Sequence, residues 1–374
     1  MKLNVRKARI FIMNIALFVI LRQEGTLKYL FALGVAGMLL LLKNMRIRRT
    51  EALYFFLPWL FYILAGWGWC VLQGNINVYS VKQTVFYMVP LLLGFMVSAC
   101  LKGDRDTWIA MQFWAILAIF LISGILNWGQ GDLMESQYAF IFGIYFILFL
   151  WKKRFLLGVL AAMGLYLATK RIAILATVLT ICFLLFFRAV RNEALKQRLL
   201  RVSILLTIGV PFLYIYVIRS GILEKLVYHF NIQTMGRLNI YGRMSEYYYL
   251  GFSYLGKGIG SARAIVESFG YEHYQLLHND ILSFYIELGF IGFLIFWIMY
   301  GAIFFKLCRK VNTDKMIILI AMFIYTVIIF MTDNISIYMN YFYPFYILFF
   351  SLLDKGAIPE EKKIGKTGFF NFNL

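Results

Sequence analysis

The chain has 374 residues, 62% of them hydrophobic and 15% charged, with a mean hydropathy of +0.76. Those values exclude a water-soluble domain and describe a polytopic membrane protein. The net charge of +19 at pH 7 raises nucleic acid as a partner, so the positions of the cations decide how it is read.

Apolar runs of membrane length, judged against about 20 residues per helical span with short exceptions, fall at 8–21, 27–42, 52–72, 84–101, 107–126, 138–151, 155–168, 172–187, 202–218, 281–305, 316–331 and 341–353. They predict an all-α polytopic membrane protein of twelve transmembrane helices, with residues 1–374 as a single integral membrane domain. The first run ends in "LRQEG", which offers no small-x-small cleavage site, and is read as a retained helix. With a cytoplasmic N-terminus, the inner connections hold 26 of the 37 Lys and Arg residues. This is the positive-inside distribution. The basic charge is thereby topogenic, membrane lipids are the expected surroundings, and nucleic acid is set aside as a partner.

One connection is long. Residues 219–275 lie on the predicted outer side and are rich in Tyr, Leu, Ile and Gly without a Pro, which reads as a folded cap. Within it, "MSEYYYLGFSYL" is expected to form a helix on the membrane surface and "GKGIGSA" a turn. Residues 354–374 read as a mobile cytoplasmic tail. Cys70, Cys100, Cys182 and Cys308 lie in or beside spans with no CxxC spacing, and His229, His273 and His278 show no HxxxH or HExxH spacing. No disulfide framework, metal centre or cofactor is therefore expected.

Two stretches stand out. In "LYLATKRIAILATVL", Lys170 and Arg171 interrupt an otherwise apolar run at the outer tip of the hairpin formed by spans seven and eight. Recessed cations cost a few kcal/mol each unless paired or hydrated. They either snorkel to lipid phosphates or hold a substrate phosphate, the reading favoured here. In "HYQLLHNDILSFYIELGFIGFLIFW", His278 sits where the long connection re-enters the membrane. An imidazole there can take a proton from a sugar hydroxyl; Asn279 is a candidate to orient a sugar, and Asp280 to hold the tautomer. Glu287 reads as a buried contact to a neighbouring helix. Arg237 and Arg243 either pair with Glu224, Glu246 or Glu267 or complete an anion clamp with Lys170 and Arg171. Arginine suits such a clamp because its planar fork matches phosphate oxygens. Tyr247, Tyr248, Tyr249 and Tyr254 read as interfacial belt residues, with sugar stacking as the alternative.

These stretches resemble the Wzy/WaaL group of bacterial membrane glycosyltransferases, which comprises O-antigen ligases and polysaccharide repeat-unit polymerases. The resemblance rests on "HNDILSFYIELGFIGF", "GRLNIYGRMSEYYYLGFSYLGKGIG" and "ATKRIAIL", about residues 165–300, and on the layout of spans around a large outer loop. Tyr241 stands where the group's pattern has Trp, and Thr169-Lys170 where it has a pair of small residues. The resemblance implies a metal-independent transferase of GT-C-like architecture in the bacterial cytoplasmic membrane, with its active face outside. It further implies that glycan comes from an undecaprenyl-pyrophosphate-linked oligosaccharide, with His278 as the essential histidine and Arg171 and Arg237 as pyrophosphate ligands. The expected function is that of a polymerase, with a ligase or a transporter of lipid-linked oligosaccharide as alternatives, and with a flippase and a chain-length regulator as candidate partners.

Overall fold

A peptide group in hydrocarbon has no water to bond, so an apolar run must close its own hydrogen bonds as a helix. The computed structural model describes residues 5–353 apart from 23–33, 35–49, 101–104, 127–135, 235 and 271–275. Its helices are α1 (Val5–Arg22), α2 (Phe56–Gln73, preceded by a 3-10 turn at Thr50–Phe55), α3 (Val78–Cys100), α4 (Arg105–Leu126), α5 (Tyr138–Trp151), α6 (Phe155–Leu167), α7 (Arg171–Ala189), α8 (Glu193–Arg219), α9 (Ile222–His229), α10 (Arg237–Met244), α11 (Ser261–Ser268), α12 (Asp280–Cys308), α13 (Thr313–Phe330) and α14 (Met339–Leu353). Among the described residues no strand forms, and the chain is an all-α polytopic membrane protein. Eleven of the twelve predicted runs are helical; the run 27–42, His273 and the tail 354–374 lie outside the described residues.

Among the described residues, seven helices are long and apolar enough to cross a membrane: α2 with its leading turn, α3, α4, α7, α8, α12 and α13. α5, α6 and α14 are shorter apolar helices. α13 sits at the centre, with 78% of its apolar window buried, against 33% for α7 and 28% for α8. The last two therefore turn leucines such as Leu175, Leu185, Leu205 and Leu213 outward, toward lipid. α13 packs on α7 and α8, α14 on α3 and α5, α12 on α2 and α8, and α5 on α6 and α7.

The limbs of the hairpin, α6 and α7, have 13 and 19 residues, about 20 and 28 Å at 1.5 Å per residue. Only α6 falls well short of a hydrocarbon core of about 30 Å. Two expectations about local structure are corrected. The segment "MSEYYYLGFSYL" is not a surface helix; after α10 it runs as turns and bends from Ser245 to Ser253. Its tyrosines make it fold inward. Tyr248 and Tyr254 are buried, Tyr254 stacks on Tyr285 of α12 at 5.3 Å, and the Tyr285 hydroxyl donates to the Tyr249 carbonyl at 2.8 Å. Tyr248 and Tyr254 are thus core residues of the cap, not belt residues.

The cap is anchored at a break in α12. Gly289 takes φ +73°, which interrupts the ladder and frees the carbonyls before it. The amides of Lys257 and Gly258 donate to Ile286 O at 2.9 Å and Glu287 O at 3.1 Å, and the amide of Ile259 donates to Gly66 O of α2 at 3.2 Å. A Cβ on Gly258, at φ +93°, would lie 2.5 Å from the Cys70 sulfur. "GKGIG" is therefore a backbone plug seated between α2, α3 and α12. Glu287 lies beside it, accepting from the Gly260 amide at 3.0 Å, from Gln83 Nε2 at 3.1 Å and from the Tyr62 hydroxyl.

Candidate functional site

"HND" spells a helix start. Asn279 is the N-cap of α12: its Oδ1 accepts the Leu282 amide at 2.9 Å, and Asp280 occupies the first turn, where the helix dipole favours a carboxylate. His278, just before the cap, is forced into the left-handed region at φ +52°. Such a conformation costs a non-glycine residue about 1 kcal/mol or more and is held here from both sides. The His278 amide donates to Asn334 Oδ1, and the Tyr241 hydroxyl donates to the His278 carbonyl at 3.2 Å. With its backbone pinned, the imidazole sets Nδ1 3.3 Å from Asp333 Oδ1 and keeps its side chain 26% exposed.

Asp333 is the centre of the site. It lies in the connection between α13 and α14 with a side chain only 1% exposed. Besides His278, it receives an ion pair from Lys170, the Tyr338 hydroxyl at 3.1 Å and the Asn334 amide at 2.8 Å. Burial alone would push the Asp333 carboxyl up. The hydrogen bond to His278 and the Lys170 ammonium outweigh burial and hold it below the usual carboxylate range.

Lys170 reaches Asp333 from the α6–α7 turn, where Thr169 also takes a left-handed conformation, at φ +51°. Its ammonium lies 5.2 Å from the centre of the Phe140 ring and 5.9 Å from that of Tyr338, a cation–π enclosure. The buried ion pair gives Lys170 a partner within the protein, in place of the lipid phosphate or open anion face that the sequence reading considered. Arg171, the first residue of α7, is exposed beside it. Arg237 opens α10 and donates through Nη1 to the Thr332 carbonyl at 2.8 Å, one residue from Asp333.

Lys170, Arg237 and His278, distant in sequence, thus meet at residues 332–333, with Arg171 adjoining. Two other sequence-selected residues are used differently. Arg243 is exposed, with its guanidinium 5.7 Å from the Phe269 ring centre. Asn279 is fully buried, and its amide donates to the Tyr214 hydroxyl at 3.3 Å. Asp280 does not hold the imidazole; it accepts the Ser336 amide at 2.8 Å and the Ser336 hydroxyl. Glu267 pairs with Arg263 and Tyr79.

Asp333, Asn334 and Tyr338 escaped the sequence reading. The available signal was a lone carboxylate in "MTDNIS", between two apolar spans with no cation beside it, which implies a partner distant in sequence. Among the described residues, no group of three or more His, Cys, Asp or Glu side chains converges as a metal site. An apolar groove of about 450 Å³ is lined by Phe146 of α5 and by Val159, Ala162, Met163, Tyr166 and Leu167 of α6, the last of these the C-terminal residue of that helix.

No curated protein sequence matches the chain. The family model described as O-Antigen ligase matches residues 156–297, a segment that contains Lys170, Arg171, Arg237 and His278 but ends before Asp333. Over that segment the chain is similar to the O-antigen ligase family, a likeness that supports a glycosyl-transfer role of the ligase and polymerase type.

Proposed function

We propose that the protein is a polysaccharide repeat-unit polymerase of the bacterial cytoplasmic membrane. It transfers glycan from an undecaprenyl-pyrophosphate carrier to an acceptor sugar hydroxyl at the outer face, with no metal in the chemical step. The observation that carries this reading is the contact of His278 Nδ1 with buried Asp333. An Nδ1–H donated to Asp333 leaves Nε2 as the acceptor, the tautomer a general base needs.

In the reaction, Nε2 takes the hydroxyl proton as the sugar oxygen bonds to the anomeric carbon. The carbon–oxygen bond to the pyrophosphate breaks, and its electron pair leaves with the phosphate. Arg171 and Arg237 face that growing charge and stabilise it more in the transition state than in the ground state. Lys170 acts from behind, neutralising Asp333 so that the carboxylate orients the imidazole. The groove beside α5 and α6 suits a prenyl chain.

The family description favours a second reading, an O-antigen ligase, which differs only in its acceptor. The compact loops and the Tyr241 and Thr169-Lys170 departures favour the polymerase. Purified protein incubated with lipid-linked repeat units should give an oligomer ladder, unchanged by chelator. No ladder, but a single transfer to added lipid A core, would make it a ligase. Turnover lost to chelator and restored by a divalent ion would overturn the metal-free mechanism. The break in α12 speaks against a transporter, because its freed carbonyls are taken by Lys257 and Gly258 and are not left for a coupling ion.

A further inference from the structure

At the end of the bundle opposite Asp333, a cavity of about 680 Å³ opens between α4, α5, α7, α13 and α14. Arg105, Lys152, Lys153, Arg154, Arg188 and Lys315 line it, against the carboxylates Asp106 and Asp314. Asp106 is shared by Lys152 at 2.6 Å and Arg154 at 3.5 Å, so among the described residues the lining cations outnumber the lining carboxylates. The deeper wall is apolar, formed by residues including Ile109, Leu148, Ile318 and Leu348. On that wall Ser351 is buried, and its hydroxyl has no hydrogen-bond partner among the described residues.

Positive-inside topology accounts for cations at this end of the spans, but not for their arrangement around a cavity. Three features together specify an amphiphilic anion: surplus positive charge at the rim, hydrocarbon walls below, and an unsatisfied buried hydroxyl. The α5–α6 turn carries three consecutive cations, Lys152, Lys153 and Arg154, with Lys153 in a left-handed conformation at φ +56°. The opening of about 680 Å³ exceeds what a bare phosphate ion would fill.

We propose that this cavity binds the phosphate headgroup of an anionic lipid, with the cationic rim on the phosphate and the acyl roots against the apolar wall. The site lies at the other end of α13 from His278 and does not depend on the catalytic reading.

The test is native mass spectrometry of the full-length protein titrated with phosphatidylglycerol or phosphatidylcholine. One phosphatidylglycerol per chain should be retained in preference to phosphatidylcholine, a comparison that needs no variant. The double variant Lys153→Gln/Arg188→Gln removes two exposed rim cations and should weaken that binding by about tenfold or more. The control Arg198→Gln/Arg201→Gln removes two exposed cations from α8 outside the cavity and should leave it unchanged. Equal retention of the two lipids, or equal loss in the two double variants, would reduce the effect to diffuse surface charge and overturn the proposal. Saturable binding of inorganic phosphate without lipid preference would assign the site to a soluble anion and overturn it as well.

Discussion

The two ends of α13 carry the same kinds of side chain in different balance. Beyond its C-terminal end, one buried carboxylate, Asp333, is met by Lys170, His278 and a tyrosine hydroxyl, so the buried pair is matched while Arg171 and Arg237 stand outside it. At its N-terminal end, six cations face two carboxylates around an open cavity. A matched cluster is rigid, because removing either partner strands a buried charge. A surplus keeps its attraction for something outside the protein. Geometry and pairing, and not cation number, thus separate a preorganised site from a recruiting one.

The largest expected effect breaks the matched end. His278→Ala should abolish polymer formation, a loss of at least 10²-fold by the usual worth of a general base, while its abundance in the membrane is unchanged. Unaltered polymer ladders on a gel would remove His278 as the base. Asp333→Asn comes next. It leaves Lys170 buried without its counter-charge, at a cost of about 3–5 kcal/mol, and removes the acceptor for Nδ1. Adding Lys170→Met should restore most of the thermal stability without restoring turnover. Recovery of both would make Asp333 purely structural.

Arg171→Lys should be nearly as inactive as Arg171→Ala in the oligomer assay, because an ammonium cannot reproduce the bidentate fork. Full activity in the lysine variant would reduce that position to generic charge. Gly258→Ala should destabilise the cap by about 3 kcal/mol, through left-handed strain and overlap with Cys70. The loss should be visible as faster proteolysis between α8 and α12.

The smallest effect is electrostatic. The folded Asp333 carboxyl lies below its unfolded value of about 3.9. Its contribution to stability is therefore fully present above that value and is lost as the pH falls below it. The thermal midpoint should drop more steeply on acidification in the wild type than in Asp333→Asn. Parallel curves would show that Asp333 gains nothing from its partners.

Much of the fold was legible in the sequence. α5 spans the same residues as its apolar run, 138–151, and α14 starts two residues before its own. Hydrocarbon length and internal hydrogen bonding are local demands that a run of residues satisfies alone. The cap was legible only as a long connection. Its inward-packed tyrosines and the seating of "GKGIG" on a broken helix depend on residues in α2 and α12. His278, Lys170, Arg171 and Arg237 were singled out because charge or imidazole at a membrane boundary is costly enough to notice. Asp333 was missed because one short acidic side chain in a turn carries no periodic or spacing signal.

The sequence by itself determined a helical membrane protein, the direction of its charge asymmetry and the residue types able to handle a phosphate and a hydroxyl proton. Only the tertiary structure decided that Asp333 joins His278 to Lys170, that Arg243 and Asn279 lie in other surroundings, and that the opposite cations enclose a cavity. The reason is range: helix formation in hydrocarbon is fixed within about 20 neighbouring residues. The partner of a buried charge is whichever group the packed helices bring beside it, and for Lys170 that group lies 163 residues away.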